Sequence, residues 1–205
     1  MHSQRWVCRG LSFLGSWIVA TAAGSLLALL GAQVLLTSLK TVMRITADEI
    51  LVGAMLGLIL GAAQWWVLRR HLRRSSLWVS ASLFGGLAVG VVATQAGDAA
   101  GSIAAFTFYG IVLATFQWTI LLRPLQGSGL WVPASGAAWG LGFPAFAWID
   151  RIALTPTWPF GELWTVAIMY ALLGVITGSV TGIVMAWILQ NAQTSSRSPI
   201  AETVG

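Results

Sequence analysis

Gly57-x6-Gln64-Trp65-x-x-Leu68-x-Arg70, followed by Leu77-Trp78-Val79-x-Ala81-Ser82, is the stretch on which the fold turns. It returns 53 residues later as Gly110-x6-Gln117-Trp118-x-x-Leu121-x-Arg123, followed by Leu130-Trp131-Val132-x-Ala134-Ser135. Aligned without a gap, 13 of the 26 positions from Gly57 to Ser82 are identical to their partners, so the chain is built from a repeated unit. Each copy starts in an apolar run, crosses a short basic connector and enters a second apolar run. The unit is therefore two helices and a turn.

The medium that suits such a unit follows from composition. The chain is 57% hydrophobic and 8% charged, with mean hydropathy +0.82. Soluble domains carry about 25% charged residues, so this chain has too little polar surface to cover a globule in water. Its net charge of +5 sits in connectors between apolar runs, without the aromatic-interleaved basic face that nucleic-acid binding needs. One cysteine, Cys8, rules out an internal disulfide, and the two histidines, His2 and His71, lie outside the apolar runs. No paired Cys/His spacing points to a transition metal.

Six apolar stretches can each cross about 30 Å of hydrocarbon as a helix. They are Leu11–Leu36, Ile50–Leu68, Leu77–Gln95, Ser102–Leu122, Trp131–Ile149 and Leu163–Leu189, and none carries Lys, Arg, Asp or Glu in its interior. Ala20-Thr21-Ala22 has the small-x-small form of a cleavage site, but the apolar run continues past it to Leu36, which reads as an uncleaved first helix. Residues 193–205 read as a disordered cytoplasmic tail beyond a single membrane domain, 1–192. With the N-terminus inside, the inner segments hold Arg5, Arg9, Arg69, Arg70, Arg73, Arg74, Arg123 and Arg197 against Glu202. The outer segments hold Lys40, Arg44 and Arg151 against five carboxylates. This 8-to-3 split places both termini in the cytoplasm by the positive-inside rule, with the bacterial inner membrane, cytoplasmic or thylakoid, as the location.

The repeat extends to the ends of the chain. Trp17-Ile18-x-Ala20-Thr21-x-x-Gly24 matches the starts of the third and fifth helices, and Gly174-x3-Gly178-x3-Gly182 in the sixth matches Gly53-x3-Gly57-x3-Gly61 in the second. The fourth keeps Gly110 at the same phase. The units are 50–95, 102–149, and a split third made of 163–189 and 11–36. The expected architecture is all-α: a polytopic bundle of six transmembrane helices with pseudo-threefold symmetry, closed by helix six against helix one, with both termini cytoplasmic. The glycine stripes are the small-xxx-small pattern of close helix packing in lipid, either within one bundle or between copies of the chain. Trp17, Trp65, Trp66, Trp78, Trp118, Trp131 and Trp187 read as an aromatic belt at the cytoplasmic interface.

Gln64 and Gln117 are the polar residues that call for an explanation. One reading is a clamp, with each glutamine bonded to Thr21, Ser82 or Ser135 one turn inside a neighbouring helix. The other is a polar ring that binds a lipid head, a carotenoid end group or a small solute, with Arg70 and Arg123 holding a phosphate at the surface. No serine has a basic partner within reach, no paired carboxylates share a helix, and the glycine spacings are helical rather than phosphate-cradling. An enzyme and a resident cofactor are therefore not expected, while lipid or pigment contact stays open.

The motif Gly-x6-Gln-Trp-x-x-Leu-x-Arg with Trp-Val-x-Ala-Ser resembles a poorly characterised group of small multi-pass bacterial membrane proteins, frequent in cyanobacteria. The resemblance covers residues 50–145 and, more weakly, the end helices. It departs where a Gly-Trp pair of the group is reversed as Trp139-Gly140 or replaced by Gly85-Gly86. It implies fold and location and carries no activity. The expected role is a non-enzymatic accessory or scaffold subunit of a membrane complex, or a homo-oligomer. The alternative is a small-solute transporter or channel along the axis.

Overall fold

The computed structural model describes residues 2–42, 48–96, 102–119, 125–153 and 161–195. Every long element is a helix: α1 (His2–Val42), α2 (Asp48–Leu68), α3 (Leu77–Ala96), α4 (Ile103–Gln117), α5 (Trp131–Ala153) and α6 (Glu162–Ser195). α1 packs on α2 and α6, and α2 on α3, α3 on α4, α4 on α5 and α5 on α6, so the helices follow one another around a ring that the chain's two ends close.

Four helical stretches are long and apolar enough to cross a membrane: Gly10–Leu36, Asp48–Leu68, Leu77–Gln95 and Trp164–Ala192. That is the signature of an integral membrane protein. Ile103–Gln117 is apolar but shorter. α5 is long enough, but Pro133, Pro144 and its glycines dilute its hydropathy. Exposed Leu11, Val19, Leu27, Val34, Phe84, Leu141, Trp164 and Ile183 put apolar side chains on the outside of the ring, as a lipid-facing surface requires.

Several helices differ in length from their expected spans. α6 continues to Ser195, three residues into the stretch expected as a disordered tail. α1 runs well beyond Leu36 at its far end. The π-helical turn at Trp118 and Thr119 ends the described part of α4. Arg123, residues 154–160 and residues 196–205 lie outside the described residues, as do the side chains of Cys8, Lys40, Asp98 and Asp150.

The glycines set how closely the helices approach. A Cβ on Gly57 would run into the Ser82 carbonyl oxygen, and one on Gly61 would stand 2.5 Å from Ser82 Cβ. On Gly110 it would stand 2.6 Å from the Ser135 carbonyl oxygen, and on Gly178 3.0 Å from Thr21 Cβ. Gly53, Gly57 and Gly61 are buried against α3, so their stripe is occupied within the chain. Gly174 and Gly182 meet Ala22 and Trp17 of α1 in the same way.

Candidate functional site

Three tryptophans meet at the centre of the ring, at the end of the bundle where α2 turns into α3. Trp17, Trp78 and Trp131 are 0%, 0% and 2% exposed. Their rings touch edge to face, with centroids 6.1 Å apart for Trp17–Trp78 and Trp17–Trp131 and 5.5 Å apart for Trp78–Trp131. Edge-to-face contact sets the positive ring edge of one indole against the negative face of the next. This corrects the belt expected from sequence. These three indoles form the core, whereas Trp66 and Trp187 are exposed at the surface. Position along a helix gave depth in the membrane but not which way the ring pointed.

A buried indole N–H needs an acceptor. Trp78 Nε1 donates to Gln64 Oε1 at 3.0 Å, and Trp131 Nε1 donates to Gln117 Oε1 at 3.0 Å. Each glutamine then uses its amide nitrogen on another helix. Gln64 Nε2 donates to Thr21 Oγ1 at 3.3 Å, and Gln117 Nε2 donates to Ser82 Oγ at 2.9 Å. One end of each side chain thus ties two helices within a unit, and the other ties the unit to the preceding one. In α6 the position aligned with these glutamines is Met185, which offers no comparable acceptor. Trp17 Nε1 donates instead to Thr181 Oγ1 at 3.1 Å, one turn away. Ser135 Oγ, aligned with the two hydroxyls that receive glutamine, is buried with no hydrogen-bond partner among the described residues.

Gln64, Gln117, Thr21 and Ser135 line a cavity of about 20 Å³, joined by Thr177 and Thr181. A volume of that order holds one water molecule. Ser82 is bonded to Gln117 beside it. Arg70 is elsewhere. It lines a surface groove between α1 and α2 together with His71, so it does not complete the polar ring. Arg123 lies outside the described residues.

Toward the other end of the bundle, a cavity of about 320 Å³ is lined by Val52, Leu56, Phe106, Tyr109 and Trp139, with Asp48 and Glu49 at the first turn of α2. Tyr109 Oη is buried there without a partner among the described residues. The side chain of Thr181 was legible in the sequence only as one of several hydroxyls in α6. Tyr109 carries no repeat signal at all. Among the described residues no group of three or more His, Cys, Asp or Glu could hold a metal ion.

An all-helical chain with several membrane-length apolar helices and a hydrogen-bonded interior belongs, as a class, with integral membrane proteins. Comparison with family models, with curated proteins and with solved structures found no match for this chain.

Proposed function

We propose that this protein is a six-span, non-enzymatic membrane bundle with three like units around one axis, acting as an accessory or scaffold subunit of a membrane complex. Both termini face the cytoplasm of a bacterium, following the arginine asymmetry. The threefold reading draws support from the three matching close approaches, Gly57 to Ser82, Gly110 to Ser135 and Gly178 to Thr21. The single observation that carries the scaffold reading is the tryptophan trio. Three indoles, each with its N–H bonded, fill the axis at one end, and the cavity behind them measures about 20 Å³. A solute path there would have to break three buried hydrogen bonds, each contributing about 0.6–2 kcal/mol in a membrane.

The glutamines fit the clamp better than a ligand ring, because both ends of each are bonded within the chain. The second reading, a small-solute transporter, is favoured by the 320 Å³ cavity and the unpartnered Tyr109 hydroxyl inside it. Proteoliposome flux separates the two. The expected result is no flux of small solutes above empty liposomes, with Gln64→Leu and Gln117→Leu changing stability alone. Specific flux that either substitution removes would sink the scaffold reading. Purification in mild detergent is expected to bring a membrane-protein partner, or a pigment complex, with the chain.

A further inference from the structure

The basic end of the bundle carries a feature that the closed axis does not use. Between α1 and α2, a groove of about 590 Å³ is lined by Ser12, Phe13, Ser16, Trp66, Val67, Arg70 and His71. Arg69, Arg70, Arg73 and Arg74 are all exposed around it. Asp48 and Glu49 stand at the opposite end of α2, which spans 21 residues. At 1.5 Å per residue that is about 30 Å, several times the ~8 Å screening length of physiological salt. Among the described residues nothing neutralises this cluster.

The groove is polar at its rim and apolar at its floor. Phe13 and Val67 are buried in its wall, with Phe13 edge-on to the His71 ring at 5.0 Å. His71 Nδ1 donates to the Val67 carbonyl oxygen at 3.2 Å, because a carbonyl can only accept, and no partner meets Nε2 among the described residues. Arg69 is engaged in stacking, its guanidinium 3.3 Å from the centroid of the Trp66 ring. Arg70 has no such contact among the described residues and lines the groove. The matching place between α5 and α6 is filled differently. There the ring of Trp187, aligned with Trp66, lies so close to Gly127 that a Cβ would stand 2.7 Å from it. Ser16, which lines the groove, stands where the other two copies carry the larger Leu77 and Leu130.

We infer that this groove binds one anionic phospholipid. Arg70 holds its phosphodiester, His71 Nε2 accepts from a headgroup hydroxyl, the Ser12 hydroxyl lies at the rim, and the acyl chains run down the Phe13–Val67 wall between α1 and α2. A basic pocket between membrane helices, open sideways to the bilayer, selects an anionic headgroup with an apolar tail over either part alone. The inference rests on the membrane placement of α1 and α2 and is independent of whether the axis conducts.

The test is native mass spectrometry of the full chain in mild detergent, with phosphatidylglycerol or phosphatidylcholine of identical acyl chains added. Wild type is expected to keep one phosphatidylglycerol under activation that strips phosphatidylcholine. Arg70→Gln with His71→Gln is expected to lower that retention about tenfold, the scale of one lost charge-assisted contact. Arg73→Gln with Arg74→Gln, which removes two charges outside the groove against one in it, is expected to leave it within about twofold. Ser16→Leu, a residue the other two copies already carry, fills the groove and is expected to lower retention without loss of fold. Equal retention of the two lipids, equal effects of the two double variants, or displacement by millimolar inorganic phosphate would each overturn the proposal.

Discussion

At the α2–α3 and α4–α5 joints a glutamine accepts from the tryptophan and reaches on to a hydroxyl of the preceding unit. At the α6–α1 joint a threonine accepts from the tryptophan, a methionine fills the glutamine's place, and the hydroxyl that would have received the second bond, Ser135, is unpartnered among the described residues. The difference separates two jobs that the glutamine performs at once. Meeting the indole N–H is compulsory, and any acceptor near enough will do. The second arm, between units, is dispensable at one joint of three. Met185 is 0% exposed, so the third joint replaces a hydrogen bond with packing rather than with an opening.

The close helix approach is common to all three joints, so breaking it is expected to have the largest effect. Gly57→Leu drives a side chain into the Ser82 backbone of α3, which cannot yield. The expected loss exceeds about 4 kcal/mol, read as failure to purify as a folded protein. Gly129→Ala, where nothing lies within 4 Å, is the matched control and is expected to be neutral.

Next in size are the substitutions that leave an indole N–H buried without an acceptor. Gln64→Leu, Gln117→Leu and Thr181→Val are each expected to cost about 1–3 kcal/mol, measured by unfolding in mixed micelles. Met185→Leu, a swap of similar volume, is expected to cost less than about 1.5 kcal/mol. If Met185→Leu matched the glutamine substitutions, the distinction between the joints would fail.

The smallest effects isolate the second arm. Ser82→Ala removes the acceptor of Gln117 and is expected to cost about 1 kcal/mol. Ser135→Ala removes a hydroxyl that bonds nothing among the described residues and is expected to change stability by less than about 0.5 kcal/mol. Met185→Gln supplies the absent donor and is expected to raise stability by up to about 1 kcal/mol. That gain should vanish in the Ser135→Ala background, which a double-mutant cycle checks directly.

Where a repeat aligns residues, the sequence was a good guide to the site. Gln64, Gln117, Thr21, Ser82 and Ser135 were legible as one constellation, because equal phase on equal helices brings them to equal depth. Thr181 was not. It aligns with Leu60 and Leu113, so the joint it serves is repaired out of register, and no comparison of copies points to it. The tryptophans failed for another reason. A Trp near the end of an apolar run suits an interfacial belt and a buried core equally well, and only closure of the ring decides between them. The groove at Arg70 was hidden because it forms only where α2 meets Ser12, Phe13 and Ser16 of a different helix.

The bond from Trp17 to Thr181 joins residues 164 positions apart. Its two partners therefore leave the ribosome far apart in time. The first helix must sit in the bilayer with a polar N–H and a glycine-contacting face unmatched until the last helix arrives. The seam between α1 and α6 is thus the last part of this ring that can close. A product that stops before α6, however well its middle helices pair, keeps that seam open.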